Sequence, residues 1–412
     1  MKKFVACFIL CTILLNGAAQ TDGKISIGST EKIHSTILNE DRTVWVYLPG
    51  SLAGDVSSST KYPVVYLLDG ETHFYSVVGL IQQLSSANGN TVFPEMIVVG
   101  IRNTDRRRDF TPTHVASPFF PLVDSSFASV SGGGSRFFSF VEKELIPYIE
   151  SKYPTQPYRM LIGHSLGGLA VMDALLNHTE LFSSYVAIDP SAWWDSGWVL
   201  QQAPKVLPQK SFEGKSLFLG IANTMPRGMD VAAAKKDTSL FTSHFRCVLK
   251  LDTLLRQNQA NHLKYASKYY SDESHTTVPL IAEYDALHSI FDYYTLNLTP
   301  EDFMTFSEET LKRIENHYEV ISKNLGYTIC FPEMMASGLG YALLGQRRLK
   351  ESELVFSANV RNYPNSYSVH DAMGDYYSVT GKLEKAVACY TKALSIKELP
   401  TIRKKLDVLT KK

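Results

Sequence analysis

A five-residue run in the middle of the chain has the spacing of a nucleophile on a tight turn. The run Gly163-His164-Ser165-Leu166-Gly167 fits the pattern Gly-x-Ser-x-Gly and lies between a strand-like apolar segment and an amphipathic one. Glycines are needed there because side chains would collide with the backbone of a strained strand-to-helix turn. The pattern predicts an exposed Ser165 hydroxyl and a Leu166 N–H at a helix N-terminus, where it can stabilise an oxyanion.

A serine hydroxyl is a poor nucleophile without a base, so a histidine is expected further along the chain. The candidates are His244, His262, His275 and His288. His275 follows the strand-like segment 265–270 and precedes a loop that enters a helix, which is where the base of this mechanism belongs. The other three lie in or beside helical patterns, where structural roles are expected. We therefore predict His275 as the base.

The carboxylate that would orient the base is less well specified by the sequence. The acid is expected between the nucleophile and the base along the chain, just past the strand predicted at 216–222, and the next carboxylate is that of Asp230. We predict Asp230 as the acid. The alternatives that could also orient the imidazole are Asp237, Asp189 and Glu273. A serine and histidine pair without an acid is a further alternative.

Three loops at one predicted edge of the sheet could complete the site. The loop Asp69-Gly70-Glu71 follows the strand predicted at 62–68 and would supply a second oxyanion donor, the backbone N–H of Glu71 or Gly70. Trp193 follows the strand predicted at 185–188 and would line an aryl or sugar subsite. Arg106, in an arginine-rich loop, would suit an anionic substrate. The alternatives are core packing for Trp193 and a solvated loop for the arginines.

The elements that must position these residues alternate between strands and helices. The predicted strands are apolar on both faces, as in a sheet that helices cover, and comprise 62–68, 96–101, 159–162, 185–188 and 216–222. Amphipathic segments between them include 137–152 and 166–177. This alternation predicts an α/β fold with a doubly wound, mostly parallel sheet over residues 25–298.

A second pattern begins at Thr299, where helical segments replace the strands. Gly340 and Phe356 recur as Gly374 and Tyr390, each pair with an offset of 34 residues. This period, with a small and an aromatic residue at these places, resembles the tetratricopeptide repeat. We predict a small all-α region over 299–412 with two such repeats, and a protein partner for it. An unrelated helical bundle is the alternative.

Composition and cysteine content exclude several classes of protein. Lys and Arg total 41 and Asp and Glu total 41, so no basic excess exists to bind nucleic acid. Outside the first twenty residues the cysteines are Cys247, Cys330 and Cys389. Their odd number and their spacing predict neither a disulfide framework nor a zinc site. We expect no metal and no cofactor.

The amino terminus has the pattern of a targeting segment. Lys2 and Lys3 precede an apolar run that ends at Leu15 and is followed by small residues. The run is too short to span a bilayer of about 30 Å, which predicts a signal peptide over 1–19 and not an anchor. We therefore expect an exported protein, periplasmic or secreted, that is not bound to the membrane after cleavage.

Several separate motifs resemble those of one known family and occur in its order. They are 67–74, 99–106 with 109–114, 163–168, 190–195 and 273–279. Together they are similar to the putative esterase family of α/β-hydrolases, over about residues 30–296. The resemblance implies ester hydrolysis with Ser165 as nucleophile and His275 as base. Thr276 and Thr277 stand where members of the family usually have Gly-Ser.

These observations together predict an exported serine esterase. Ser165 would attack an ester carbonyl, and His275 would take its proton and return it to the leaving alcohol. The family includes siderophore-ester hydrolases and feruloyl or acetyl-xylan esterases, so the expected substrate is a small-molecule or carbohydrate ester. The alternatives are a catalytically silent binding or scaffold protein and an acyltransferase. Retention of Ser165 and His275 argues against a silent protein.

Overall fold

The computed structural model describes residues 25–53, 60–115 and 129–410. The predicted signal peptide at 1–19 lies outside these residues. The chain divides into two compact units, one that ends at Asp292 and one that begins at Tyr293. The boundary expected from the sequence lies slightly further along, between residues 298 and 299.

A sheet of eight strands forms the centre of the first unit. The strands are β1 Ser29–Ser35, β2 Glu40–Tyr47, β3 Tyr62–Leu67, β4 Ile97–Ile101, β5 Thr155–His164, β6 Ser184–Ile188, β7 Ser216–Ala222 and β8 Lys264–Tyr270. Their order is β1-β2-β4-β3-β5-β6-β7-β8. β2 is antiparallel to both of its neighbours, and all other pairs are parallel. The predicted α/β fold with a mostly parallel sheet is confirmed.

Helices connect the strands and cover the sheet. They are Gly70–Ser85, Arg106–Asp109, Gly134–Phe140, Ile146–Lys152, Leu166–Asn177, Trp194–Val206, Val231–Lys236, Ser243–Gln257 and Val278–Ile290. The described part of the unit also contains a π-helical segment, Val141–Leu145, and short 3₁₀ turns at Gly50–Ala53, Ala87–Gly89, Leu240–Thr242 and Gln259–Asn261. Every residue of β3, β4 and β6 is buried. The continuous apolar runs in the sequence therefore reflect strands that are covered on both faces.

The carboxyl ends of the parallel strands meet at one edge of the sheet, and the predicted site residues follow them. Asp69 lies just after β3, Ser165 directly after β5, and Asp189 directly after β6. His275 lies in the loop between β8 and the next helix. Ligands bind at this edge in open α/β sheets, so the fold brings the candidate nucleophile and base to one place.

The second unit is built of helices. They are Pro300–Met304, Glu308–Leu325, Glu333–Gly345, Leu349–Asn362, Tyr367–Val379, Leu383–Ile396 and Pro400–Thr410. The pair that begins at Glu333 and Leu349 recurs at Tyr367 and Leu383, with the offset read from the sequence. The predicted all-α region is confirmed, whereas its identification with the tetratricopeptide repeat stays a prediction. Within the described ranges, none of the helices combines the length and the hydropathy that a bilayer crossing requires.

Each helix pair packs through a glycine against an aromatic ring. A Cβ atom added to Gly340 would lie 2.6 Å from the ring of Phe356, and one added to Gly374 would lie 2.5 Å from the ring of Tyr390. Both rings are buried. The small residue of each repeat is therefore required by the close approach of the following helix.

Two glycines of the Glu333–Gly345 helix allow a matched test of this packing. An added Cβ at Gly338 meets nothing within 4 Å. Gly338→Ala should therefore stabilise the helical unit by up to about 1 kcal/mol through helix propensity. Gly340→Ala should destabilise it, because overpacking costs about 1–3 kcal/mol. Thermal unfolding of both variants measures the difference, and equal stability of the two would contradict the proposed contact with Phe356.

Candidate active site

Ser165 lies on a strained turn between β5 and the Leu166–Asn177 helix. Its backbone has φ 59° and ψ −115°, a conformation that residues with side chains rarely adopt. The flanking glycines make the turn possible, because a Cβ on Gly163 would collide with the carbonyl oxygen of Gly167. The turn places the serine side chain at the carboxyl edge of the sheet.

His275 approaches Ser165 from the loop after β8. Its Nε2 lies 3.1 Å from Ser165 Oγ, and its Nδ1 lies 2.6 Å from Asp189 Oδ2. A carboxylate accepts hydrogen bonds, so the proton of the neutral ring belongs on Nδ1 and the lone pair of Nε2 faces the serine. This is the arrangement in which a histidine can accept a hydroxyl proton. The site therefore contains a serine, a histidine and an aspartate in continuous hydrogen-bond contact.

The carboxylate of Asp189 is completely buried at the end of β6. Its Oδ1 accepts the N–H of Ala222 at 3.1 Å, and its Oδ2 accepts from His244 Nε2 at 2.8 Å as well as from His275. Burial alone would raise the pKa of this carboxyl group. The attraction and hydrogen bonds of His244 and His275 outweigh burial and hold the Asp189 pKa below its usual range. Asp189 is therefore ionised next to the base.

Asp230 does not take the position that the sequence predicted for it. It is the N-cap of the Val231–Lys236 helix, where its Oδ1 accepts the N–H of Ala233 at 2.7 Å. The prediction of Asp230 as the acid is corrected by this geometry, because the carboxylate on His275 is that of Asp189, one of the alternatives. The acid is predicted after β7, whereas the carboxylate in contact with His275 follows β6.

Arg106 pairs with a carboxylate inside the fold. Its Nε and Nη2 donate to Asp69 Oδ1 and Oδ2 at 2.6 Å and 3.0 Å, and Nη2 also donates to the carbonyl of His164 at 3.1 Å. Asp69 begins the loop that contains the candidate oxyanion donor Glu71, and His164 directly precedes Ser165. Its guanidinium therefore connects these two segments, while 31% of its side chain stays exposed, and its role in substrate binding stays a prediction.

The two predicted oxyanion donors, Leu166 and Glu71, belong to the first turns of their helices. Leu166 begins Leu166–Asn177, and Glu71 is the second residue of Gly70–Ser85. The first N–H groups of a helix have no partner within that helix, so they are available to an anion. The two turns lie close together, since a Cβ on Gly167 would be 3.2 Å from Asp69 Oδ2. Their role as oxyanion donors stays a prediction.

Aromatic and cationic groups lie beside the same edge. Trp193 is partly buried, and its ring lies 6.1 Å from that of Trp194, which is buried in the core. Trp193 therefore keeps an exposed part that an aryl group could contact, and its role in substrate binding stays a prediction. Arg102 is exposed and lies over the ring of Trp45 at 5.2 Å.

His164 forms an uncharged surface for the ring of His275. The two ring centroids are 4.6 Å apart. Burial is the largest cause that lowers the pKa of His164 to about 4, and the neighbouring imidazoles of His275 and His73 act in the same direction. His164 is therefore neutral near pH 7 and adds no positive charge next to the base.

His244 is the contact that sequence reasoning missed. The sequence predicted a structural role for it beside a helix, but its Nε2 lies on the same oxygen of Asp189 as His275. The two histidines and the aspartate come from distant parts of the chain, so no local spacing could have indicated the contact. Among the described residues, these three also form the group whose ligand atoms lie close enough to hold one metal ion, within 4.8 Å of one another.

Kinetics can distinguish two roles of Arg106, positioning of the oxyanion loop through Asp69 and binding of the substrate. Arg106→Met should lower kcat about 10- to 100-fold on a neutral ester and an anionic ester alike, because a small displacement of the oxyanion loop affects both. Steady-state kinetics on the two esters measures this effect. Arg102→Met, at an exposed arginine of the same loop, should leave turnover of the neutral ester unchanged. If Arg106→Met slows only the anionic ester, the result would support substrate binding by Arg106 and contradict an effect through the oxyanion loop.

Comparisons with known proteins place this geometry in context. The family described as Putative esterase matches residues 35–218. The ferri-bacillibactin esterase of Bacillus subtilis is 30% identical over 190 residues, which are 44% of this chain and 65% of the relative. The siderophore enterobactin esterase of Emericella nidulans is 29% identical over 171 residues, or 39% of this chain and 56% of the relative. The chain thus spans less than two thirds of the length of these curated relatives.

Among solved structures, the similarity covers nearly the whole length of the matched chains. An IroE-like serine hydrolase from Shewanella oneidensis is 31% identical, with a TM-score of 0.66, and the match covers 81% of this chain and 99% of that one. The siderophore hydrolase EstB from Aspergillus nidulans shares the fold at 18% identity, with a TM-score of 0.52 over 67% of this chain and 98% of its own.

Proposed function

We propose that this chain, which belongs to the putative esterase family of α/β-hydrolases, is a serine esterase that hydrolyses carboxylic esters. The observation that carries the proposal is the continuous contact from Ser165 Oγ through His275 to the carboxylate of Asp189. The strained turn at Ser165 and the buried, ionised Asp189 support it, because both are arrangements that an activated nucleophile requires.

The mechanism follows from the positions of the protons. Nε2 of His275 takes the proton of Ser165 as Oγ attacks the ester carbonyl, and Asp189 stabilises the imidazolium that forms. The N–H groups of Leu166 and Glu71 would hold the oxyanion. The imidazolium then gives its proton to the leaving alkoxide. Water, activated by the same histidine, releases the acid from Ser165.

The substrate class that we favour is a siderophore ester. The names of the relatives support this choice, since two of them are esterases of ferri-bacillibactin and of enterobactin. The exposed part of Trp193 and the exposed Arg102 would suit an aromatic, anionic acyl group. Feruloyl and acetyl esters of carbohydrates are the alternative substrates. Export through the segment 1–19 is part of the proposal and would place the enzyme outside the cytoplasm.

The alternatives from the sequence have less support. A silent scaffold would have no need of a connected nucleophile, base and acid, and all three are present. No contact in the described part of the chain favours acyl transfer or identifies a protein partner for the helical unit. Both stay predictions.

A substrate screen with one matched variant tests the proposed function. The purified chain should hydrolyse p-nitrophenyl acetate and, with higher kcat/KM, a catecholate trilactone. Feruloyl esters and acetylated xylan complete the screen. Ser165→Ala should lower kcat by about 10⁴-fold or more, with an unchanged melting temperature, because the nucleophile is lost while the fold is kept. Turnover that survives in Ser165→Ala would contradict the serine mechanism.

A further inference from the structure

A second histidine shares the carboxylate that orients the base. Oδ2 of Asp189 lies 2.6 Å from His275 Nδ1 and 2.8 Å from His244 Nε2. We infer that His244 is a positioning residue of the active site, which fixes the Asp189 carboxylate so that His275 stays aligned on Ser165. This inference rests on the proposed function, and it adds a residue that the serine mechanism does not itself require.

The environment of Asp189 explains why one further donor matters. The carboxylate is fully buried, and its backbone has a positive φ of 39°. A buried carboxylate that lacks hydrogen-bond donors rotates toward other donors or becomes protonated, because burial disfavours its charge. Ala222 N–H holds Oδ1, whereas Oδ2 is held by the two histidines. Without His244, only His275 would donate to Oδ2 among the described contacts. His275 is also the residue that must transfer protons in each catalytic cycle.

The position of His244 fits a fixed support. It lies in the first turn of the Ser243–Gln257 helix, whose neighbouring residue Phe245 is buried in the core. Its ring meets that of His275 edge to face, with centroids 5.1 Å apart. It therefore contacts the base and the acid from an element that is anchored independently of the His275 loop.

The chemistry of this contact requires a donor and not a charge. A neutral imidazole with its proton on Nε2 can donate to Oδ2, and the side-chain amide of glutamine offers an N–H at a similar distance from the backbone. Glutamine should therefore replace the positioning function, whereas alanine should not. This difference separates positioning from simple packing of a ring.

The experiment compares His244→Ala, His244→Gln and Lys250→Ala in the full chain. Lys250 is exposed on the same helix, so Lys250→Ala controls for a change of the helix alone. We expect kcat of His244→Ala to fall about 10- to 100-fold with KM within about twofold, because a misaligned catalytic group slows the chemical step. His244→Gln should recover most of kcat. The rate at which an alkyl fluorophosphonate labels Ser165 should follow the same order.

The outcomes distinguish this inference from the proposed function. If the unaltered chain neither hydrolyses an ester nor is labelled at Ser165, the proposed function fails. If the unaltered chain is active and His244→Ala keeps its kcat, the positioning role of His244 is wrong. A His244→Gln variant as slow as His244→Ala would also overturn it, because packing and not hydrogen bonding would then explain the loss. Melting temperatures near that of the unaltered chain show that each variant is folded.

Discussion

The site depends on the hydrogen bonds that the buried carboxylate of Asp189 accepts. Burial of a lone carboxylate is unfavourable, so Asp189 is tolerated only because its oxygens accept from Ala222 N–H, His244 and His275. These donors come from the end of β7, from the Ser243–Gln257 helix and from the loop after β8. One charge thus holds three separate segments at the carboxyl edge of the sheet and determines where the base can lie.

The Ser165 side of the site depends on a second, partly buried pairing. Ser165 keeps an unfavourable backbone conformation because β5 and the following helix fix both ends of its turn. Arg106 connects this turn to the loop after β3 through Asp69 and the carbonyl of His164. The guanidinium is suited to this task, since its planar N–H groups can satisfy a carboxylate and a carbonyl together. Strain in the turn is therefore balanced by contacts that also bring the two candidate oxyanion donors together.

The sequence predicted what is local and missed what depends on distant contacts. The turn at Ser165 and the sheet strands could be predicted from a few neighbouring residues, and the 34-residue offset predicted the paired helices. The carboxylate that contacts His275 could not be predicted in this way, because Asp189 and Asp230 follow adjacent strands and the choice depends on where the loop after β8 places His275. The pairing of Arg106 with Asp69 could not be predicted for the same reason, since the two residues are 37 positions apart.

The measurement that tests the central claim most directly is a comparison of kcat for Asp189→Asn and Asp230→Asn on one ester. Asparagine at 189 cannot keep His275 in the required tautomer, so kcat should fall by about 10⁴-fold. Asparagine at 230 caps a helix about as well as aspartate, so kcat should be unchanged. A larger loss in Asp230→Asn than in Asp189→Asn would contradict the assignment of Asp189 as the acid.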